Sequence, residues 1–222
     1  MADALWIWRH PKPRDVAGRC IGRSDVAVDP RRAKRLAHRL RRQARRAGLP
    51  HEVWTSPLQR CADVGRWLRR WGWRHRIDLR LLELDFGSWD GEPWTRISAA
   101  DFAIWEADFA GHAPGGGESL ASLRERVRAF IAEAHRVGND GDAAGAVSIA
   151  VASGPTGNAR LLVAHAGWIN ALAFVTTELP AASHWPTPMR YGGAAQWSAS
   201  TGLCRVDTML HRSGRSAVPV SN

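Results

Sequence analysis

The sequence predicts an α/β fold, a three-layer sandwich whose mostly parallel central sheet carries helices on both faces. Short apolar runs near residues 5–8, 53–55 and 161–164 have the length of buried strands. Longer segments with helical spacing separate these runs, and such alternation favours a parallel sheet. Two of the runs lead into a histidine, His10 and His165. Both side chains are therefore predicted at the carboxyl edge of the sheet, where sites form.

Length and composition indicate a globular chain. The 222 residues, 45% of them hydrophobic, predict a single domain spanning residues 1–222 with a sizeable core. No apolar run approaches the roughly 20 residues that span a bilayer, and no secretory signal is evident. Cys20, Cys61 and Cys204 are scattered, which argues against a disulfide framework and for a reducing compartment. The expectation is a cytoplasmic protein with no membrane partner.

The net charge of +10 comes almost entirely from arginine, since Lys12 and Lys34 are the only lysines. Codon usage accounts for part of this bias. A cationic surface also attracts anions, which include phosphorylated substrates, nucleic acid and anionic membranes. Composition alone does not separate these partners.

The first predicted strand, over residues 5–10, delivers His10 to the sheet edge. Pro11 biases the residue before it toward an extended backbone, so His10 continues the strand. A loop over residues 12–29 follows. Asp29 is a predicted N-cap with Pro30 at the first helical position, and this helix runs to about residue 47. Its arginine-rich face over residues 31–46 is typical of a solvated surface, with a nucleic-acid or membrane patch as the alternative.

A second strand, over residues 53–55, leads to Ser56 as the cap of a helix over residues 58–71. Arg60 falls in the first turn of that helix, near the positive end of its dipole. A cation is electrostatically unfavourable there. The position therefore suggests that Arg60 points at an anion drawn to the same helix end.

The middle of the chain carries less regular patterns. A third strand is predicted over residues 77–79, followed by a loop over 82–91 and helices over 98–109 and 120–136. Residues 138–158 are rich in glycine and alanine and form either a hairpin or a flexible insertion. A buried strand over 161–165, a helix over 168–177 and a last strand or strand pair over 195–206 complete the chain.

Five motifs occur in an order and spacing that resemble the histidine phosphatase superfamily, the phosphoglycerate-mutase-like group. The resemblance spans about residues 4–175. Any one motif is weakly specific, but five in order are strongly so. They are Arg9-His10, Ser56-Pro57-Leu58 with Arg60, Leu82-Glu83 with Phe86-Gly87 and Trp89-Asp90-Gly91, Gly116-Gly117-Glu118-Ser119, and His165-Ala166-Gly167.

The resemblance implies a role for each matching residue. His10 is implied as the nucleophile that takes the phosphoryl group, and Arg9, Arg60 and His165 as the pocket that holds it. Glu83 is implied as the general acid that protonates the leaving alcohol and then activates water. These side chains suit the chemistry, because neutral imidazole is nucleophilic near pH 7 and arginine pairs bidentately with phosphate. No metal or other cofactor is expected.

The chain departs from the family pattern beside the histidine. Pro11 stands where glycine is usual, which removes a backbone donor, and Val16 stands where an asparagine often binds phosphate. Arg14, Arg19 or Arg23 is a candidate to replace that asparagine. Gly22 and Arg23 lie in a loop that resembles the family's substrate loop, and Arg23 is the predicted substrate-anion contact.

Two assignments stay open at this point. Asp85, Asp90 and Glu92 lie close to Glu83 and compete with it for the role of acid. Glu118 either belongs to the site or braces the helix that follows it. A further expectation is that some of the tryptophans line a lid over the pocket, with Trp89, Trp94 and Trp105 as the candidates.

The predicted activity is metal-independent hydrolysis of a small phosphorylated metabolite. Glu83 and Gly116 are only 33 positions apart, a shorter segment than phosphoglycerate mutases of this type carry. The short form and Pro11 resemble the α-ribazole-phosphatase-like branch, which implies α-ribazole 5′-phosphate as a substrate. A mutase and a non-catalytic protein that binds anions or nucleic acid are the alternatives. Nucleic acid is not the expected partner, and the sequence leaves a homodimer open.

Overall fold

A computed structural model describes residues 4–136 and 159–206 of the chain. They form a six-stranded sheet in the order β3-β2-β4-β1-β5-β6. The first four strands in that order are parallel, whereas β5 and β6 run antiparallel to their neighbours. The predicted mostly parallel sheet is confirmed. The strands are β1 (Leu5–Arg9), β2 (Glu52–Thr55), β3 (Arg74–Ile77), β4 (Arg160–Ala164), β5 (Ala194–Ser198) and β6 (Gly202–Arg205).

Helices cover both faces of this sheet, as the fold class predicts. One core joins the sheet to α1 and α2 and the other joins it to α4 and α5. Side chains alternate between the two cores along β4, with Leu161 and Val163 on one face and Leu162 and Ala164 on the other. The helices are α1 (Pro30–Arg46), α2 (Gln59–Arg70), α3 (Ala99–Ala107), α4 (Leu120–Arg136) and α5 (Ala166–Leu172).

The third strand lies earlier than predicted. The expected strand at residues 77–79 is wrong, because β3 is Arg74–Ile77 and Leu79–Leu81 form a single 3-10 turn capped by the Asp78 carboxylate. The strand pairs only with β2 at the edge of the described sheet. It therefore tolerates charged residues and lacks the apolar pattern that marks a buried strand.

Ser56 does not cap α2. Its hydroxyl accepts a hydrogen bond from the Leu58 N–H at 3.3 Å, whereas the helix begins at Gln59. The Asp25 carboxylate accepts from the backbone and side-chain nitrogens of Gln59, at 2.6 and 3.1 Å. A residue of the distant loop therefore supplies the cap, which local sequence does not reveal.

Other predicted elements are confirmed within small shifts. Asp29 caps α1 by accepting from the Arg31 N–H, and the expected strand pair at the end of the chain is β5 with β6. The predicted helix over 168–177 instead begins at Ala166 and ends at Leu172. The expectation for residues 138–158 lies outside the described residues. Among the described helices, none has the length and hydropathy to cross a membrane.

Candidate active site

The parallel pairing of β1 with β4 brings the two histidines together. His10 directly follows β1, His165 directly follows β4, and their ring centroids lie 5.0 Å apart. A cavity of about 560 Å³ opens at this edge of the sheet, and Arg9, His10, Arg60 and Glu83 are among its lining residues. The convergence predicted from the two strand ends is confirmed by the ring positions.

His10 presents one defined nitrogen to this cavity. Its Nδ1 lies 2.8 Å from the carbonyl oxygen of Pro11. Since a carbonyl can only accept, Nδ1 carries the proton and donates it. Burial, followed by the nearby Arg60 guanidinium, holds the pKa of His10 well below its usual range. The neutral ring therefore keeps a lone pair on Nε2, the state that a nucleophilic imidazole requires.

The Arg9 guanidinium lies over an aromatic ring beside His10. Its carbon is 3.9 Å from the centroid of Tyr191, and one of its terminal nitrogens donates to the Met189 carbonyl at 2.5 Å. Its Nε is buried and has no hydrogen-bond partner among the described residues. An unmatched buried donor of this kind costs about 1–3 kcal/mol.

Arg60 ties the loop after β1 to the second histidine. The side chain is only 1% exposed. Its terminal nitrogens donate to the carbonyls of Ser24 and Gly22 at 2.6 and 2.5 Å, and its Nε donates to His165 at 3.2 Å. Three of its five N–H groups are thus engaged within the described residues, and two remain for an anion.

His165 is fully buried and has both ring nitrogens engaged. Its Nδ1 accepts from Arg60, so Nε2 carries the proton and points at the Cys61 sulfur, 3.4 Å away. Burial raises the pKa of the Cys61 thiol, which stays protonated and lies 3.7 Å from the Ala164 carbonyl. A direct bond from His165 to a phosphoryl oxygen would require the ring to exchange one of these partners. Its implied phosphate contact stays a prediction.

Glu83 is held against the start of α5 by backbone donors. Its carboxylate accepts from the N–H groups of Leu84 and Trp168 at 3.0 and 3.2 Å, and of Gly167 at 3.1 Å. A Cβ atom at position 167 would lie 2.5 Å from one carboxylate oxygen, so glycine there permits the approach. Asp85, Asp90 and Glu92 are not among the lining residues of the cavity, whereas Glu83 is.

An ion pair behind Glu83 holds its segment in place. Arg126 donates to the carbonyls of Arg80 and Leu82, each at 2.8 Å, and to that of Glu83 at 3.3 Å. The same guanidinium bonds both carboxylate oxygens of Glu118, at 2.9 and 2.7 Å. Glu118 therefore binds an arginine of α4, the helix that follows it, which agrees with the bracing role that the sequence left open.

The predicted substrate loop, which contains Gly22 and Arg23, is held in place by hydrogen bonds to Asp90. The Asp90 carboxylate accepts from the N–H groups of Gly22, Arg23 and Ser24 at 2.7–2.9 Å. A Cβ at Gly22 would overlap the Leu84 carbonyl oxygen, so glycine lets this loop pack on the segment that carries Glu83.

The Arg23 side chain turns toward carboxylates. It pairs with Asp85 at 3.1 Å and Glu118 at 3.3 Å, and neither Arg23 nor Gly22 lines the cavity. Their predicted substrate contacts stay predictions. Of the three arginines that could replace the family's asparagine, Arg19 lines the cavity, as does Val16 itself.

Sequence reasoning missed two residues beside His10 and Arg9, at the end of the cavity that the resemblance assigns to phosphate (the phosphate end). Tyr191 lies 5.6 Å from His10 between ring centroids, and the Met189 carbonyl anchors Arg9. Both belong to the irregular segment before β5, which carries no strand or helix pattern. The spatial order of the sheet places that segment beside β1, and only that order could have revealed it.

Chemically, the arrangement presents a neutral imidazole nitrogen beside two guanidinium groups and a carboxylate. Such a set can hold a phosphoryl group, receive it on nitrogen and exchange a proton with the leaving oxygen. The chain belongs to the histidine phosphatase superfamily (branch 1), whose family model matches residues 5–209. The resemblance seen in the five motifs is thereby confirmed.

Two curated relatives show the same family. A glucosyl-3-phosphoglycerate phosphatase of Mycobacterium tuberculosis is 34% identical over 157 residues, which are 69% of this chain and 65% of that protein. A protein of the same description from Mycolicibacterium vanbaalenii is 32% identical over 162 residues, 71% of this chain and 66% of the relative. The chain thus spans about 65% of the length of the first of these relatives.

Solved structures agree on the fold. The native structure of mycobacterial glucosyl-3-phosphoglycerate phosphatase superposes with a TM-score of 0.68 at 29% identity, covering 88% of this chain and 90% of that one. A phosphoglycerate mutase from Thermus thermophilus gives a TM-score of 0.60 at 22% identity, covering 91% of this chain and 97% of the other. At that identity the second likeness concerns the fold alone.

Proposed function

We propose that this chain is a metal-independent phosphomonoesterase that works through a phosphohistidine at His10. The observation that carries the proposal is the hydrogen bond from His10 Nδ1 to Pro11, which leaves Nε2 of a neutral ring free at the cavity. Arg9 and Arg60 supply positive charge beside it. The names of the relatives as phosphatases support the same activity.

In the first step, Nε2 of His10 attacks the phosphorus of the ester. The N–P bond forms as the P–O bond to the alcohol breaks, and Glu83 gives its proton to the departing oxygen. Arg9 and Arg60 neutralise charge on the equatorial oxygens, and one such preorganised donor is typically worth about 10²–10³ in rate.

In the second step, water replaces the alcohol. The Glu83 carboxylate takes a proton from the water as its oxygen bonds to phosphorus, and the N–P bond breaks. Phosphate leaves, His10 returns to its neutral form, and Glu83 is again protonated for the next cycle.

The substrate is a small phosphorylated metabolite. Two esters are the first to test. α-Ribazole 5′-phosphate is implied by the resemblance to the α-ribazole-phosphatase-like branch, and glucosyl-3-phosphoglycerate appears in the names of the relatives. The first carries an aromatic base, whereas the second carries a sugar and a carboxylate. The two esters therefore require different side chains around the alcohol portion of the substrate.

The test is the hydrolysis of p-nitrophenyl phosphate by a His10→Ala variant. We expect kcat to fall by at least about 10³-fold, because the nucleophile is removed. EDTA should leave the parent activity unchanged. His51→Ala is the matched control, since His51 is exposed and directly precedes β2, at the opposite edge of the sheet. Undiminished hydrolysis by His10→Ala would refute the proposal, and isomerisation of 3-phosphoglycerate without net phosphate release would identify a mutase instead.

A further inference from the structure

Aromatic side chains build a wall of the cavity. Trp94, Phe102, Trp105, Phe109 and Trp185 all line it. Their rings contact one another in series: Trp94 to Phe102 at 6.0 Å between centroids, Phe102 to Trp105 at 6.4 Å, Trp105 to Phe109 at 5.2 Å and Phe109 to Trp185 at 5.6 Å. These separations lie in the range of favourable aromatic pairs. The rings therefore form one continuous apolar surface.

Helix α3 contributes two of these rings to the cavity wall. None of its residues is buried, so it contributes little to either core of the sheet. Phe102 and Trp105 of α3 and Phe109, two residues beyond its end, line the cavity, whereas Ile104 is 53% exposed and does not. The aromatic side chains of α3 therefore form part of the wall that a bound molecule would contact.

Charge is sparse beyond the phosphate end. Of the described lining residues, Arg19 and Glu106 are the charged ones besides Arg9, Arg60 and Glu83. Both are exposed, they have opposite signs, and Arg19 already donates to the Gly91 carbonyl at 2.8 Å. A second anionic group on the substrate would meet no buried cation here. An uncharged ring would meet aromatic faces.

We propose that the aromatic wall is a leaving-group subsite that selects phosphate esters of alcohols bearing a flat, uncharged ring system; this rests on the phosphomonoesterase activity proposed above. The cavity volume of about 560 Å³ exceeds the space that a phosphoryl group fills and lies within the usual range for small-molecule sites. Stacking on the wall holds the alcohol while Glu83 protonates its oxygen. Of the two candidate esters, the one with an aromatic base fits this chemistry.

The first measurement compares kcat/KM for 2-naphthyl phosphate, phenyl phosphate and 3-phosphoglycerate. The two aryl esters have similar leaving groups and differ by one fused ring. We expect kcat/KM for 2-naphthyl phosphate to exceed that for phenyl phosphate by at least about tenfold. This factor is the lower end of the discrimination that one additional apolar group gives in a hydrophobic pocket. The carboxylated ester should be the poorest of the three.

The second measurement uses Trp105→Ala, with Ile104→Ala as the matched control on the same helix. Trp105→Ala should remove most of the preference for the naphthyl ester, and Trp105→Phe should retain part of it. Competitive inhibition by inorganic phosphate should be unchanged in all three variants, which shows that the phosphate end is folded. Ile104→Ala should behave as the parent.

The outcomes separate the two proposals. Preference for 3-phosphoglycerate, or an unchanged naphthyl-to-phenyl ratio in Trp105→Ala, would overturn the subsite while leaving phosphatase activity intact. Failure of the parent protein to hydrolyse any of the esters would overturn both proposals. Hydrolysis that persists in His10→Ala would overturn the phosphohistidine mechanism alone.

Discussion

Pro11 changes little at His10, the proposed nucleophile, although it is the most conspicuous departure from the family pattern. Proline lacks a backbone N–H, but it keeps its carbonyl, and that carbonyl accepts the proton of His10 Nδ1 at 2.8 Å. The carbonyl oxygen that holds the proton of His10 on Nδ1 is therefore present with proline as with any other residue. The missing N–H removes one backbone donor that an anion in the cavity could use.

Glu83→Gln tests the assignment of the acid at the level of one side chain. An amide occupies the same place but cannot deliver a proton to the leaving oxygen. We expect kcat/KM for an alkyl phosphate, which reports the steps up to departure of the alcohol, to fall by about 10²–10⁴-fold. The loss of kcat/KM should be much smaller for p-nitrophenyl phosphate, because its leaving group needs little protonation, whereas the later attack of water is slowed equally for both esters. Steady-state kinetics on the two esters measure the difference.

Glu92→Gln is the control for that measurement. Glu92 is close in sequence, but its carboxylate pairs with Arg96 at 3.5 Å at the surface. Equal losses for the alkyl and p-nitrophenyl esters in Glu83→Gln would argue that Glu83 positions groups rather than transferring a proton. A loss in Glu92→Gln comparable to that in Glu83→Gln would move the role of acid to Glu92.

Helix α4 contributes to the site through an ion pair rather than through a reacting group. Arg126 binds three carbonyls of the segment that carries Glu83, and its charge is met by Glu118 at 2.7 Å. The two side chains are only 16% and 12% exposed. Low exposure makes such a pair costly to break on one side, because the remaining charge and the carbonyls lose their partners.

Arg126→Met should therefore destabilise the protein while preserving the volume of the side chain. We expect the free energy of unfolding to fall by about 3 kcal/mol, measured by urea denaturation. Arg96→Met is the matched control, because the Arg96–Glu92 pair is exposed and should contribute less than about 1 kcal/mol. Equal effects of the two substitutions would show that Arg126 is an ordinary surface cation.

Elements with strong local patterns were predictable. The apolar runs of β1 and β4 and the Asp29-Pro30 start of α1 identify their elements from local sequence alone. Edge strand β3 carries charged residues because one side lacks a partner strand in the described sheet, so hydrophobic patterning placed its start three residues too late. The Asp25 cap and Tyr191 reach their places through long-range packing, which no local pattern encodes.

At the scale of the whole molecule, the sheet order assembles the site from distant parts of the chain. Strand β1 lies between β4 and β5, so the stretches around residues 10, 165 and 191 meet at one edge. Loops and α2 add Arg60 and Glu83 to that edge. The net charge of +10 favours the approach of anionic esters to a site of this kind.

Direct capture of the phosphorylated protein is the most decisive measurement. The protein is mixed with a phosphomonoester, quenched in alkali within milliseconds because a phosphohistidine N–P bond hydrolyses in acid, and analysed by peptide mass spectrometry. The account predicts one phosphoryl group on His10, formed before phosphate release and absent from His10→Ala. Hydrolysis at the normal rate with no phosphorylated His10 at any quench time, or with the phosphoryl group on another residue, would contradict it.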